Sequence, residues 1–141
     1  AAAAAIAPGP GTILLVEDEP QVAEILMGAL HGAGYTVLMA SRGPEALEIV
    51  RASTERIDLL LTDIVMPGMN GRELADRVRQ LQPDIPVIYM SGYSDDAILR
   101  HGVEAATMHF LTKPFSIKAL SAKVREALSP GLTAATAVSQ G

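Results

Sequence analysis

The chain contains no cysteine among its 141 residues. That absence excludes a disulfide scaffold, a thiolate metal site and a cysteine nucleophile, and it fits a reducing compartment such as the cytoplasm. No apolar run approaches the roughly 18–20 residues that cross a bilayer, so no membrane contact is expected of this segment. The opening residues lack the basic start and long apolar stretch of a secretory signal. Cations are few: 11 Lys and Arg stand against 16 Asp and Glu, a formal charge of −5. Phosphate backbones are held by clustered cations, so direct nucleic-acid binding is not expected either. No internal repeat is visible. What is present is ample apolar material, 49% hydrophobic against 19% charged, enough for a core and too much for wholesale disorder.

The length corresponds to about one domain. Residues 1–11, AAAAAIAPGPG, are of low complexity and read as a disordered linker or leader. Residues 130–141, small and polar after a Ser-Pro-Gly stop, read as a flexible tail. The folded unit is expected over 12–129.

Within it, short apolar runs alternate with helical patterns. Ile13 to Val16, Val37 to Ala40, Leu59 to Leu61, Val87 to Met90 and, more weakly, Phe110-Leu111 read as strands. Val22, Ile25, Leu26, Ala29 and Leu30 mark one face of a helix, with Gly32 and Gly34 stopping it. Pro44 opens a second helix carrying Ala46, Leu47 and Val50. Leu74, Val78 and Leu81 mark a third, a short fourth is expected over about Asp95 to His101, and Ile117, Leu120, Val124 and Leu128 mark a fifth. Continuously apolar strands suit a parallel sheet covered on both faces. The expectation is a three-layer α/β sandwich with right-handed crossovers.

Four of the five strands end in a chemically useful residue: Glu17, Asp18 and Glu19 after the first, Asp63 after the third, Ser91 after the fourth and Lys113 after the fifth. Open parallel sheets bind ligands outside the carboxyl ends of their strands, so these groups are expected on one rim. Crowded carboxylates raise one another's pKa unless a cation offsets them. Hard oxygen ligands without His or Cys favour Mg²⁺, or Mn²⁺. A divalent ion beside Lys113 would suit a phosphoryl group, with Ser91 able to donate to one of its oxygens and a carboxylate able to act as nucleophile.

VEDEP, LLLTDIVMPGMNG, YMSGYSDD and FLTKPF, in this order and spacing, resemble the receiver domain of bacterial two-component response regulators, over essentially all of Thr12 to Ser129. The resemblance implies a flavodoxin-like (βα)5 fold with strand order 2-1-3-4-5. It implies that Asp63 is the phospho-acceptor and that Asp18, with Glu17 directly or through water, binds Mg²⁺ together with Asp63 and the backbone carbonyl of Val65. Ser91 would be the switch hydroxyl, and Lys113 would be followed by Pro114 across a cis peptide. Phe110 falls at the aromatic switch position, where many members carry Tyr; Phe cannot donate a hydroxyl hydrogen bond. The implied partners are a histidine kinase or a histidine phosphotransfer protein, with a homodimer through the fourth and fifth helices as a further expectation. SGYSDD and FLTKPFSIKALSAKVREAL are similar to receivers at the C-terminus of hybrid histidine kinases, and such a parent would carry the kinase activity. The segment itself is expected to catalyse only its own phosphorylation and dephosphorylation.

Other readings weigh less. A Mg²⁺-dependent aspartyl-phosphate phosphatase of a related α/β fold typically carries Asp-x-Asp after its first strand, where this chain has Glu-Asp-Glu. A flavin or nucleotide binder would need a glycine-rich cradle after that strand. An interaction module that is never phosphorylated would not need the acceptor, metal and lysine set. Glu19 reads as a helix-start carboxylate, and Ser94, Asp95 and Asp96 as caps. His31, His101 and His109 read as structural or surface groups, and Gly68 and Gly71 as turn residues.

Overall fold

Each apolar run forms a short strand in the computed structural model, which describes residues 11–92 and 109–128. In chain order the elements are β1 (Thr12–Val16), α1 (Pro20–Gly32), β2 (Thr36–Ala40), α2 (Gly43–Ala52), β3 (Leu59–Asp63), α3 (Gly71–Leu81), β4 (Val87–Ser91), β5 (His109–Thr112) and α4 (Ile117–Ala127). The expected fourth helix, the caps at Ser94, Asp95 and Asp96, and His101 lie outside the described residues, as do the leader through residue 10 and the tail. The fifth helix of the sequence reading is therefore α4.

All strand pairs are parallel, in the order β2-β1-β3-β4-β5, which is the flavodoxin-like arrangement. Side chains alternate across a strand, and the alternation divides the core in two. Ile13, Leu15, Leu59, Leu61, Ile88, Met90 and Leu111 meet Leu26 and Leu30 of α1 and Leu120 and Val124 of α4. Leu14, Val16, Leu60, Val87 and Tyr89 meet Ala46, Leu47 and Val50 of α2 and Leu74, Ala75 and Val78 of α3. Two apolar faces on one sheet produce the three layers. β1, β3 and β4 are inner strands, which is why their sequences are apolar without interruption.

Helix ends follow local chemistry. Proline stands in the first turn of α1 and of α2, where its missing N–H costs nothing. Gly34 takes φ +102 just beyond α1, a conformation that favours glycine, and the Tyr35 amide returns to the Leu30 carbonyl at 3.1 Å. α3 begins with a reciprocal capping box between Asn70 and Glu73, and the Ser116 hydroxyl caps α4.

Three stripe residues do not behave as the periodicity expects. Ile25 is 64% exposed, Ile117 46% and Leu81 46%. In α1 the buried residues are Ala23, Leu26 and Leu30, so the helix is rotated to place the smaller alanine against the sheet and Ile25 outside. β3 also runs on through Thr62 and Asp63, both buried.

The end of the sheet opposite the rim is tied by Gln82. Its side-chain amide accepts from the Ile57 N–H at 3.1 Å and donates to the Ile57 carbonyl at 2.9 Å. Gln82→Ala leaves both groups at buried Ile57 without these partners, and the expected cost is about 1–3 kcal/mol. Thermal unfolding should register it as a fall of at least about 4 °C, with the rim's chemistry unchanged.

Candidate functional site

The carboxyl ends of β1, β3, β4 and β5 converge on one hollow. Glu17 follows β1 directly and its amide donates to the Ala40 carbonyl at 3.1 Å, which continues the ladder and turns the side chain inward. Glu17 is 2% exposed and Asp63, the last residue of β3, 5%. Asp18 is exposed at the mouth. One carboxylate oxygen from each of Glu17, Asp18 and Asp63 lies within 4.8 Å of the other two.

Lys113 lies just past β5 and reaches across β4 into this cluster. Its Nζ is 2.7 Å from Asp63 Oδ1 and 2.8 Å from Glu17 Oε1. The second oxygen of Glu17, Oε2, accepts from the Glu19 amide at 3.2 Å. Glu19 thus contributes its backbone here. The Lys113 amide donates to the Ser91 carbonyl at 2.8 Å, tying the exit of β5 to that of β4, and the Lys113–Pro114 peptide is cis.

One ammonium faces three carboxylates, two of them buried. Burial, followed by the neighbouring Glu17 carboxylate, pushes the Asp63 carboxyl up from 3.8 to about 8, and the Lys113 ammonium offsets this only in part. Burial works against the Lys113 charge, but its hydrogen bonds to Asp63 and Glu17 outweigh that and raise its pKa. An additional cation among these oxygens would relieve the strain on Asp63. All donors are hard oxygens, several are anionic, and their spacing is small, so the set fits Mg²⁺ or Mn²⁺.

Ser91 closes β4 at 1% exposure, and among the described residues its Oγ has no hydrogen-bond partner. Val65 stands two residues past Asp63 on the loop to α3, 44% exposed. Phe110 is not in the acidic cluster. It lies on the α2/α3 side of the sheet and packs on Tyr89, its register partner in β4, with ring centroids 5.7 Å apart. His31 is exposed and His109 half-buried at the start of β5. Sequence reasoning passed over three features of the site: the grip of Lys113 on Glu17, the Tyr89 ring beside Phe110, and the approach of Gly71 to the backbone of Asp63. The Tyr89–Phe110 contact would have been visible from strand register, which apolar runs alone do not specify.

Beside the acidic hollow, and sharing Lys113 with it, lies an apolar one of about 460 Å³. Val22, Ile25, Leu26, Pro114, Phe115 and Ile117 line it. Two of the misfits to helical periodicity, Ile25 and Ile117, are therefore neighbours here.

Comparison with known proteins agrees with this geometry. The sequence matches the family described as response regulator receiver domain over residues 13–125. It is 44% identical over 120 residues to the sensor kinase CckA of Brucella abortus, which covers 85% of this chain and 13% of that protein. The chain spans about half or less of the other curated relatives it matches. Among solved structures, the receiver domain of the hybrid histidine kinase CckA is 36% identical with a TM-score of 0.71, covering 84% of this chain and 100% of that one. The response regulator TrrA of Thermotoga maritima, solved in complex with Mg²⁺ and BeF, is 30% identical with a TM-score of 0.71 over 84% of this chain and 99% of that one.

The raised carboxyl predicts a pH signature. Between the unfolded value of 3.8 and the folded value of about 8, the native state retains a proton that the unfolded state has released, so stability falls as pH rises through that window. Asp63→Asn removes this term. In EDTA, its stability relative to the unsubstituted chain should rise from about pH 5 to about pH 8 by at least about 1 kcal/mol. Thermal unfolding across the range checks this, and a difference that stays flat with pH refutes it.

Proposed function

The chain belongs to the response regulator receiver domain family, and on that premise we propose that it accepts a phosphoryl group on Asp63 from the phosphohistidine of a partner protein. Receiver domains act in two-component phosphorelays, with histidine kinases or histidine phosphotransfer proteins as their donors. The contact of Lys113 with Asp63 at 2.7 Å, inside a cluster of three carboxylates, carries the assignment to this residue.

In the proposed step an oxygen of the Asp63 carboxylate attacks phosphorus. An O–P bond forms as the N–P bond of phosphohistidine breaks, and the electron pair leaves on the imidazole, which departs neutral because its other ring nitrogen carries a proton. Asp63 must react as the carboxylate, so its raised pKa has to be drawn down when the site is charged for reaction. Lys113, already on Asp63 Oδ1, is within reach of a phosphoryl oxygen attached there. Glu17, Asp18, Asp63 and the Val65 carbonyl would hold Mg²⁺, or Mn²⁺, which supplies positive charge against the phosphoryl oxygens when bound. Hydrolysis reverses the modification, with water attacking phosphorus and Asp63 leaving as the carboxylate.

The Ser91 hydroxyl, buried without a partner among the described residues, supports its role as the switch group. A buried orphan hydroxyl costs about 1–3 kcal/mol, and a phosphoryl oxygen on Asp63 would offer it an acceptor. Movement of Ser91 would let Phe110 repack and bias the surface of the expected fourth helix and α4, where we also place the homodimer contact. We further propose a cytoplasmic setting, no direct nucleic-acid contact, and a hybrid histidine kinase as the parent chain. The aspartyl-phosphate phosphatase reading is not favoured, because the nucleophile candidate stands after β3 and Glu-Asp-Glu follows β1.

A small phosphodonor with Mg²⁺ should add one acid-labile phosphoryl group at Asp63, read by mass spectrometry, and Asp63→Asn should add none. Equal labelling of the Asn variant overturns the assignment. The apolar hollow beside Lys113 is where a donor protein would rest while its phosphohistidine reaches Asp63. Ile25→Glu should therefore slow transfer from such a donor by about tenfold or more, the equivalent of about 1.4 kcal/mol, and leave labelling by the small phosphodonor unchanged. Equal slowing of both reactions would place the defect in the site itself.

A further inference from the structure

Gly71 opens α3, and its amide donates to the Ile64 carbonyl at 2.7 Å. A Cβ placed on Gly71 would overlap the carbonyl oxygen of Asp63 and would lie 2.9 Å from Ile64 Cα and 3.0 Å from the Asp63 carbonyl carbon. Non-bonded carbons rest at about 3.5–4.0 Å. All three obstructing atoms are backbone, so no side chain can swing aside. The requirement is one of proximity, since the described glycines with positive φ are Gly34 and Gly68.

Neither side of this seam yields easily. Asn70 Oδ1 accepts from the Glu73 amide at 2.8 Å and Glu73 Oε1 from the Asn70 amide at 3.1 Å, which pins the first turn of α3. Leu74, Ala75 and Val78 bury the same helix against the sheet. On the other side, β3 is held between β1 and β4, and the Ile64 amide donates to the Met90 carbonyl at 2.9 Å. The Thr62 hydroxyl donates to the Asp63 carbonyl at 2.9 Å.

We propose that Gly71 is a positioning residue for the reaction at Asp63: its missing side chain lets α3 close on the backbone of Asp63 and Ile64, and this contact sets where the carboxylate meets Lys113 and Glu17. The inference rests on the reading of Asp63 as acceptor. An error of about 1 Å in the place of a reacting group can cost about a hundredfold in rate. A methyl group at Gly71 forces a displacement of that order onto the strand that carries the nucleophile.

The test is Gly71→Ala in the full chain, beside Val78→Ala, which opens a cavity in the same helix away from the seam. Both should lower the thermal midpoint. Well below that midpoint, Gly71→Ala should label with a small phosphodonor about 10–100-fold more slowly and bind Mg²⁺ more weakly by NMR titration, with shifted Asp63 and Ile64 amides. Val78→Ala should label within about twofold of the unsubstituted chain. A folded Gly71→Ala that labels and binds Mg²⁺ like the unsubstituted chain overturns the proposal. If Gly71→Ala does not fold, the double variant Asn70→Ala, Glu73→Ala decides, because it releases the start of α3 without a collision. Slower labelling supports the seam, and an unchanged rate removes it. Failure of the unsubstituted chain to label at Asp63 would sink the functional reading alone, and the Mg²⁺ titrations would still decide the role of Gly71.

Discussion

Two carboxylates buried side by side need a cation, and Lys113 is the residue that supplies one. Glu17 and Asp63 are nearly sealed from water, where two like charges side by side repel strongly. Lys113 lies 96 residues from Glu17 in the chain and contacts both carboxylates. The contact requires β1 beside β3, β5 near enough to reach across β4, and all four strands pointing the same way. A sheet with one of these strands reversed would carry its charged residue to the opposite end. The polar site and the parallel topology thus constrain each other, because the hydrophobic core builds the rim and the ion pairs are satisfied only in that arrangement.

The pairing is incomplete, since three carboxylates share one ammonium. Burial first, and then the neighbouring Glu17 carboxylate, hold the Asp63 proton far above the usual carboxylate range, and the Lys113 ammonium offsets this only in part. Any species that adds positive charge among these oxygens lowers that pKa and, on the proposed function, would free Asp63 to react as the carboxylate. Cation binding and acceptor reactivity would then be coupled through one proton.

Much of this was legible in sequence, and the illegible part is all of one kind. Strands buried on both faces declared themselves as apolar runs, because inner parallel strands have no wet side. Helix stripes at Leu74 and Val78, or Leu120 and Val124, gave the faces that cover them. The strand-end residues Glu17, Asp63, Ser91 and Lys113 could be placed on a common rim from topology rules alone. The strand order itself came from the resemblance to receiver domains, since apolar runs carry no record of their neighbours. The same limit hid the Lys113–Glu17 bridge, the Tyr89–Phe110 contact and the closeness of Gly71 to Asp63, which are contacts across elements and depend on register. Periodicity also placed Ile25 and Ile117 in the core, because it reports an apolar side chain and not what that side chain faces.

Those misfits are informative because of where they gather. Ile25 and Ile117 expose apolar surface, Ser91 buries an unpartnered hydroxyl, and Asp63 is driven from its natural protonation state. Each is locally unfavourable, and each lies at the carboxyl end of the sheet or in the hollow that shares Lys113 with it. At the opposite end, Gln82 meets both polar groups of Ile57. Leu81, the third stripe residue left exposed, stands beside Gln82 at that opposite end, so exposed apolar surface is not confined to the rim side, whereas the orphan hydroxyl and the protonated carboxyl are found at the rim. The asymmetry is explained if the unsatisfied groups are met by something that comes and goes: a cation for the carboxylates, a phosphoryl oxygen for the hydroxyl, an apolar protein surface for the isoleucines. On the proposed function all three demands belong to a single event, the docking of a phosphorylated donor at Asp63, and the well-packed remainder of the sheet would hold them in register until it occurs.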